Sequence, residues 1–166
     1  MSTRHGNPTA SAIQVVLRIL TILATAAATY VMVTSKQSTV VYGIPLQAQY
    51  NYASAFKFFV YANGIACGLS VLSLIVALAL CVRGSRASDS FFLPTIDLLV
   101  MSLVMAGFAA ATAVGYIGKY GESHIGWMSI CDNVAIFCRR VTTSVIASFI
   151  AFFLLKVIAI MTVFRL

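Results

Sequence analysis

The sequence predicts an all-α membrane protein, a bundle of four transmembrane helices with cytoplasmic N- and C-termini. Three observations predict it. Of the 166 residues, 61% are hydrophobic and 9% charged, whereas a soluble domain carries roughly 25% charged residues. The chain therefore lacks the polar surface that water demands. Four apolar runs reach the length of about 20 residues that a helix needs to cross a bilayer. The remaining polar residues gather mostly in the short connections between those runs.

Residues 1–12 read as a cytoplasmic tail and 13–164 as one four-helix domain. The first span runs from Ile13 to Val33. Arg4 precedes it and the small-residue stretch TAAAT lies within it, as in a signal peptide. It is longer than the apolar core of such a peptide, about 7–15 residues, and it carries Arg18, so it reads as a retained span. An outer loop, 34–57, leads to the second span, Phe58 to Val82. A short connection carrying Arg83 and Arg86 leads to the third, Leu93 to Ile117. A second outer loop, 118–140, precedes the fourth, Val141 to Phe164, and residues 165–166 form the C-terminal tail. What lies outside the spans is too short for a catalytic domain. No N-x-S/T acceptor occurs, because Asn7 is followed by proline, so the outer loops are expected to be unglycosylated.

Four spans put both termini on one side. The tails and the middle connection carry Arg4, Arg83, Arg86 and Arg165, and the other side carries Lys36, Lys57, Lys119, Arg139 and Arg140, partly offset by Glu122 and Asp132. The two arginines of the short middle connection favour a cytoplasmic position for it. Cys131 and Cys138 on the opposite side favour the same orientation, since disulfides persist outside the cytosol. The net charge of +7 comes from basic residues scattered at the ends of the runs rather than clustered in a stripe. That pattern suits topology signals and lipid headgroup contacts, not nucleic acid.

Two spans carry opposite charges. Arg18 lies about five residues into the first span and Asp97 about five into the third, and at about 1.5 Å per residue they reach a similar depth. Each alone at mid-membrane costs about 2.5–3.5 kcal/mol. A guanidinium matches a carboxylate bidentately, so the expected partner of Asp97 is Arg18, across a contact between the first and third helices. The alternatives are a proton or ion relay and independent snorkelling to the headgroups. Lys156, in the fourth span, either snorkels or joins Asp97 as a third charge.

Small residues supply packing faces. Gly64 and Gly68 make a GxxxG step in the second span, and Gly107, Ala111 and Gly115 repeat the spacing in the third. Such faces let helix backbones approach, within one subunit or between two. Cys67 and Cys81 lie in apolar runs and read as small hydrophobes. Cys131 and Cys138 lie in a polar loop; on a continuous helix they would stand about 10.5 Å apart, too far to bridge. A disulfide between them requires a bend, for which Asp132-Asn133 is suited. No Cys/His cluster suggests a metal, and no nucleophile, base and orienter converge, so neither cofactor nor catalysis is expected. All seven tyrosines and the single tryptophan fall on the outer-loop side. Tyr50, Tyr52, Phe56, Phe58, Phe59 and Tyr61 crowd the start of the second span, and Tyr116, Tyr120 and Trp127 cluster around the second outer loop. Together they form a candidate outer-face assembly surface.

Taken in order, Arg18, the block SAFKFFVYANGIACGLSVLSL, Asp97 and WMSICDNVAIFCRR resemble the Casparian strip membrane domain (CASP-like) family, plant relatives of the MARVEL tetraspans. The resemblance runs from about Ala12 to the C-terminus. It implies a multi-pass plasma-membrane protein that associates with itself and with related members, organises a membrane domain, and recruits cell-wall-modifying enzymes in its strip-forming branch. Strip-forming members carry acidic residues in the first outer loop, and Thr34 to Ala55 contains none, which points to the broader CASP-like branch. The expected function is a non-enzymatic scaffold. The alternative is a small channel or transporter using Arg18, Asp97 and Lys156.

Overall fold

The computed structural model describes residues 8–41, 44–82, 92–122, 124 and 126–163. Four helices account for most of them: α1 Pro8–Val33, α2 Ser54–Val82, α3 Phe92–Tyr120 and α4 Ala135–Val163. Each is long and apolar enough to cross a membrane. Most residues of each span lie outside the bundle's core, and exposed ones such as Leu23, Leu72, Leu99 and Ile150 are apolar. That is the distribution expected where the solvent is lipid.

The helices start earlier and end later than hydropathy suggests. α1 begins at Pro8 rather than Ile13, and proline suits a first helical turn because its missing N–H is one that the helix leaves unpaired. α2 begins at Ser54, α3 continues to Tyr120 and α4 begins at Ala135. Helices of 29 residues reach about 44 Å, against about 30 Å of hydrocarbon, so their end turns reach the headgroup zone.

The bundle closes in a ring. α1 packs along α2 and α4, and α3 packs along the same two, so α1 and α3 face each other diagonally, as do α2 and α4. Successive helices run antiparallel: Phe56 at the start of α2 meets Phe137 at the start of α4, while Ser73 of α2 is level with Arg18 and Asp97. Two apolar clusters fill the centre. One, at the loop end, holds Ala28, Met32, Phe56, Phe59, Ala111, Val134, Phe137 and Val141. The other, towards the tails, holds Ala66, Ile96, Val100, Val104 and Leu155.

Residues 34–57 are not the plain loop expected. Strand β1 (Lys36–Val41) pairs antiparallel with β2 (Ile44–Gln49), from Lys36 opposite Gln49 to Val41 opposite Ile44. A 3-10 turn, Tyr50–Tyr52, then leads into α2. The hairpin caps the bundle. Gln37 of β1 accepts the backbone N–H of Phe137 at 2.8 Å, satisfying one of the unpaired donors at the start of α4. Ala48 and Tyr50 pack on the loop-end cluster. The signal for this hairpin is the pair of short runs around Tyr42-Gly43, a two-residue spacing with glycine; those two positions lie outside the described residues.

α3 stops at a glycine for a steric reason. Gly121 has φ 72°, a left-handed conformation that ends helices, and its N–H donates to Ile117 O at 2.8 Å. The chain then turns back, with Glu122 and Trp127 exchanging two backbone hydrogen bonds of 2.8 and 3.0 Å. A Cβ on Gly121 would lie 2.7 Å from the carbonyl oxygen of Trp127.

Candidate functional site

The tail-side half of the bundle contains a closed polar cluster. Arg18 of α1 reaches diagonally through the core to Asp97 of α3: Nη1 donates to Oδ1 at 2.9 Å and Nη2 to Oδ2 at 2.6 Å. The helices concerned are not packed neighbours, as a contact between the first and third would suggest; the long arginine stem spans the centre. Ser73 of α2 completes the group. Its hydroxyl accepts from Arg18 Nη1 and donates to Asp97 Oδ1 at 3.3 Å. Arg18 is 3% exposed and Asp97 1%. Two full charges thus sit out of contact with lipid, each neutralised by the other and each held by more than one hydrogen bond.

A second polar tie crosses the other diagonal. Asn63 of α2 is fully buried; its Nδ2 donates to Phe59 O at 3.0 Å, and its Oδ1 accepts from the Ser148 hydroxyl of α4 at 2.9 Å. Ser144 of α4 donates to Ala28 O of α1 at 2.6 Å. Nothing in the hydropathy singled out Asn63, Ser73, Ser144 or Ser148. Their one available signal is that each is polar within an apolar run. Thr21, Thr25 and Thr29 satisfy their hydroxyls on the carbonyls four residues back, each at 2.9 Å, which conceals them within α1.

Lys156 does not join the pair. It lies on an exposed face of α4, while Asp97 is occupied by Arg18 and Ser73. The small-residue faces divide. A Cβ on Gly107 would stand 3.0 Å from Ala62 Cβ and 3.7 Å from Phe59 Cα, so that glycine brings α3 close to α2. Ala111 is buried in the core, and a Cβ on Gly115 would meet Val141 at 3.9 Å. An added Cβ on Gly64 or Gly68 would meet no described atom within 4 Å beyond its own stretch of helix backbone. Their GxxxG step therefore does not pack within the subunit; Gly64 lines an open groove with Ala26, Thr29, Tyr30, Val33 and Cys67.

Cys131 and Cys138 form a disulfide with Cα atoms 5.7 Å apart. Cys138 lies in the first turn of α4 rather than in a loop, and the bend is at 131–133, where Asn133 N–H donates to Ile130 O at 3.0 Å. Cys67 is a free thiol, partly buried. The side chain of Cys81 lies outside the described residues, as do Arg4, Tyr42, Arg83, Arg86 and Arg165. Among the described residues, no group of His, Cys, Asp and Glu could hold a metal ion.

The aromatic ring also divides. Phe56 and Phe59 are core residues, 7% and 0% exposed, and Phe56 meets Phe137 edge to face at 6.1 Å. They cannot contact another molecule; a helix face that starts α2 must also close the bundle beneath the hairpin. Tyr50 is half-buried against the same cluster. Phe58, Tyr52, Tyr61, Tyr116, Tyr120 and Trp127 are exposed. Tyr116 and Tyr120, one turn apart, meet at a tilt of 48° with centroids 4.8 Å apart, and the Lys119 ammonium lies 5.1 Å from the Tyr120 ring.

The sequence model of the Casparian strip membrane protein domain matches residues 7–154. CASP-like protein 1F1 of Vitis vinifera is 53% identical over 146 residues, 88% of this chain and 71% of that protein. CASP-like protein 1F1 of Ricinus communis is 50% identical over 147 residues, 89% of this chain and 82% of that protein. CASP-like protein 1F1 of Arabidopsis thaliana is 40% identical over 150 residues, 90% and 86% of the two chains. No solved structure matches.

Proposed function

This chain belongs to the Casparian strip membrane protein domain family, and from that membership we propose that it is a self-associating scaffold that organises a membrane domain. As a member it is a non-enzymatic, multi-pass protein of the plasma membrane, in contact with lipid along all four helices. In the proposed arrangement the termini and the Arg83–Arg86 connection face the cytoplasm, and the hairpin and the disulfide-bearing loop face outward. The disulfide supports that orientation, because such bonds persist outside the cytosol.

One observation carries the assembly reading: the exposed aromatics Tyr52, Tyr61, Tyr116, Tyr120 and Trp127 at the loop end, above a core already closed by Phe56, Phe59 and Phe137. Their exposure is not needed to fill that core. Aromatic side chains give large contact area at low entropy cost and dominate interface hot spots. Copies of this chain and of its relatives meet on this surface, and wall-modifying enzymes dock on the assembled outer face.

The test separates folding from assembly. Tyr52→Leu and Trp127→Leu are expected to reach the cell surface normally, yet give smaller particles after purification or faster lateral diffusion. Phe59→Ala serves as the folding control and is expected to lose delivery. Unchanged particle size and mobility in both ring variants would remove these residues from the interface. Loss of delivery in both would assign them to the fold.

A further inference from the structure

At the loop end, α1 and α4 leave a groove of about 440 Å³ lined by Tyr30, Val31, Thr34, Arg139, Arg140 and Thr143. Both arginines are exposed. Arg140 Nη1 donates one hydrogen bond, to Thr34 O at 3.2 Å. Arg139 makes no side-chain hydrogen bond or ion pair among the described residues. The described carboxylates are engaged elsewhere: Asp97 with Arg18, Glu122 with His124, and Asp132 with Ser129. Two adjacent guanidiniums thus line one groove, and none of the described carboxylates neutralises them.

Their depth says what can. α4, with 29 residues, is about 44 Å long, so about 7 Å of it projects beyond each edge of a 30 Å hydrocarbon core. Arg139 and Arg140 lie about 6–8 Å along the axis from Ala135. With α4 upright and centred in the bilayer, they stand at the boundary between hydrocarbon and headgroup, where phosphate oxygens are the anions present. Further along the two helices the exposed residues are apolar: Ile146 and Ile150 follow Arg139 and Thr143 along one face of α4, and Leu23 lies two turns below Tyr30 on α1. A cationic head above an apolar track matches a phospholipid and exceeds what a free anion would need.

We infer that this groove binds the phosphate of a glycerophospholipid in the loop-side leaflet, with Arg139 and Arg140 on the phosphate oxygens and the acyl chains along Leu23, Ile146 and Ile150. Guanidinium–phosphate contacts are charge-assisted and suited to fork-like recognition. The assignment needs neither the scaffold reading nor the outward orientation.

Native mass spectrometry of the full chain in detergent tests it. The probes are dioleoylphosphatidylglycerol, dioleoylphosphatidylcholine, phosphate-free dioleoylglycerol, and inorganic phosphate as competitor. The wild type should retain one of either phospholipid per chain and retain dioleoylglycerol far less. Arg139→Gln should weaken retention about tenfold, and the Arg139→Gln/Arg140→Gln pair more, the loss expected for a charge-assisted contact. Arg139→Gln removes no bond seen within the protein, so its melting temperature should match that of wild type; Arg140→Gln also removes the bond to Thr34. Equal retention by wild type and the double variant would overturn the site, as would equal retention of dioleoylglycerol. Displacement of the lipid by millimolar inorganic phosphate would reassign the groove to a free anion. A change in particle size with lipid retention intact would reassign it to a subunit contact.

Discussion

Removing either member of the diagonal ion pair should be among the most damaging single changes in this protein. Arg18 and Asp97 are 3% and 1% exposed, so neither solvent nor salt compensates for a lost partner. In Asp97→Leu the guanidinium of Arg18 keeps only Ser73; in Arg18→Met the carboxylate does the same. An uncompensated buried charge costs about 3–5 kcal/mol. The double variant Arg18→Met/Asp97→Leu has no such charge, and apolar replacement of a buried pair is often neutral or stabilising. Ser73 can then turn its hydroxyl back to its own helix. The expected pattern is two singles each about 3–5 kcal/mol below wild type and a double within about 1–2 kcal/mol of it, a coupling of about 4 kcal/mol or more. Equilibrium unfolding of the purified chain in mixed micelles with rising SDS, followed by circular dichroism, measures all four proteins on one scale. Singles within about 0.5 kcal/mol of wild type, or two losses that simply add in the double, would refute the clamp. The charges would then be solvated independently.

The other consequences are local. Gly121→Ala forces a left-handed residue and sets a Cβ 2.7 Å from Trp127 O, so it should destabilise by about 1–2 kcal/mol in the same titration, whereas Gly64→Ala, whose Cβ would meet nothing beyond its own helix backbone within 4 Å, should not. Gln37→Ala removes the acceptor for Phe137 N–H and should cost about 0.5–2 kcal/mol, with faster amide exchange at the start of α4; unaltered exchange there would exclude the cap. Reducing the Cys131–Cys138 bridge should cost about 2.5 kcal/mol by loop-closure entropy. Non-reducing peptide mapping should find those two cysteines linked and Cys67 alkylatable, and alkylation of Cys131 without reductant would reject the linkage.

How much was legible in the sequence depended on the range of the physics involved. Span number and element type follow from local composition: about 20 apolar residues have one stable backbone solution in lipid, because every peptide group must be paired within the segment. The charges at Arg18 and Asp97 were conspicuous for the same reason, since a lone charge in such a run demands a partner. So was the bend between Cys131 and Cys138, because a straight helix holds them too far apart.

What the tertiary structure alone decided is which faces meet. Hydropathy averages over a helix turn and cannot say that α1 and α3 are diagonal, that Ser73 joins their ion pair, or that Asn63 and Ser148 tie the opposite diagonal. It ranked Phe56 and Phe59 with Tyr52 and Tyr61, although the first two close the core and the others do not. It offered Lys156 as a third charge, although that residue lies on an exposed face of α4. It read 34–57 as a loop, since Lys36–Val41 and Ile44–Gln49 become strands only by pairing with each other. In a bilayer, apolar residues are equally suited to lipid and to core, so composition selects the membrane. Only packing shape, glycine clearance and the satisfaction of buried polar groups select the neighbours.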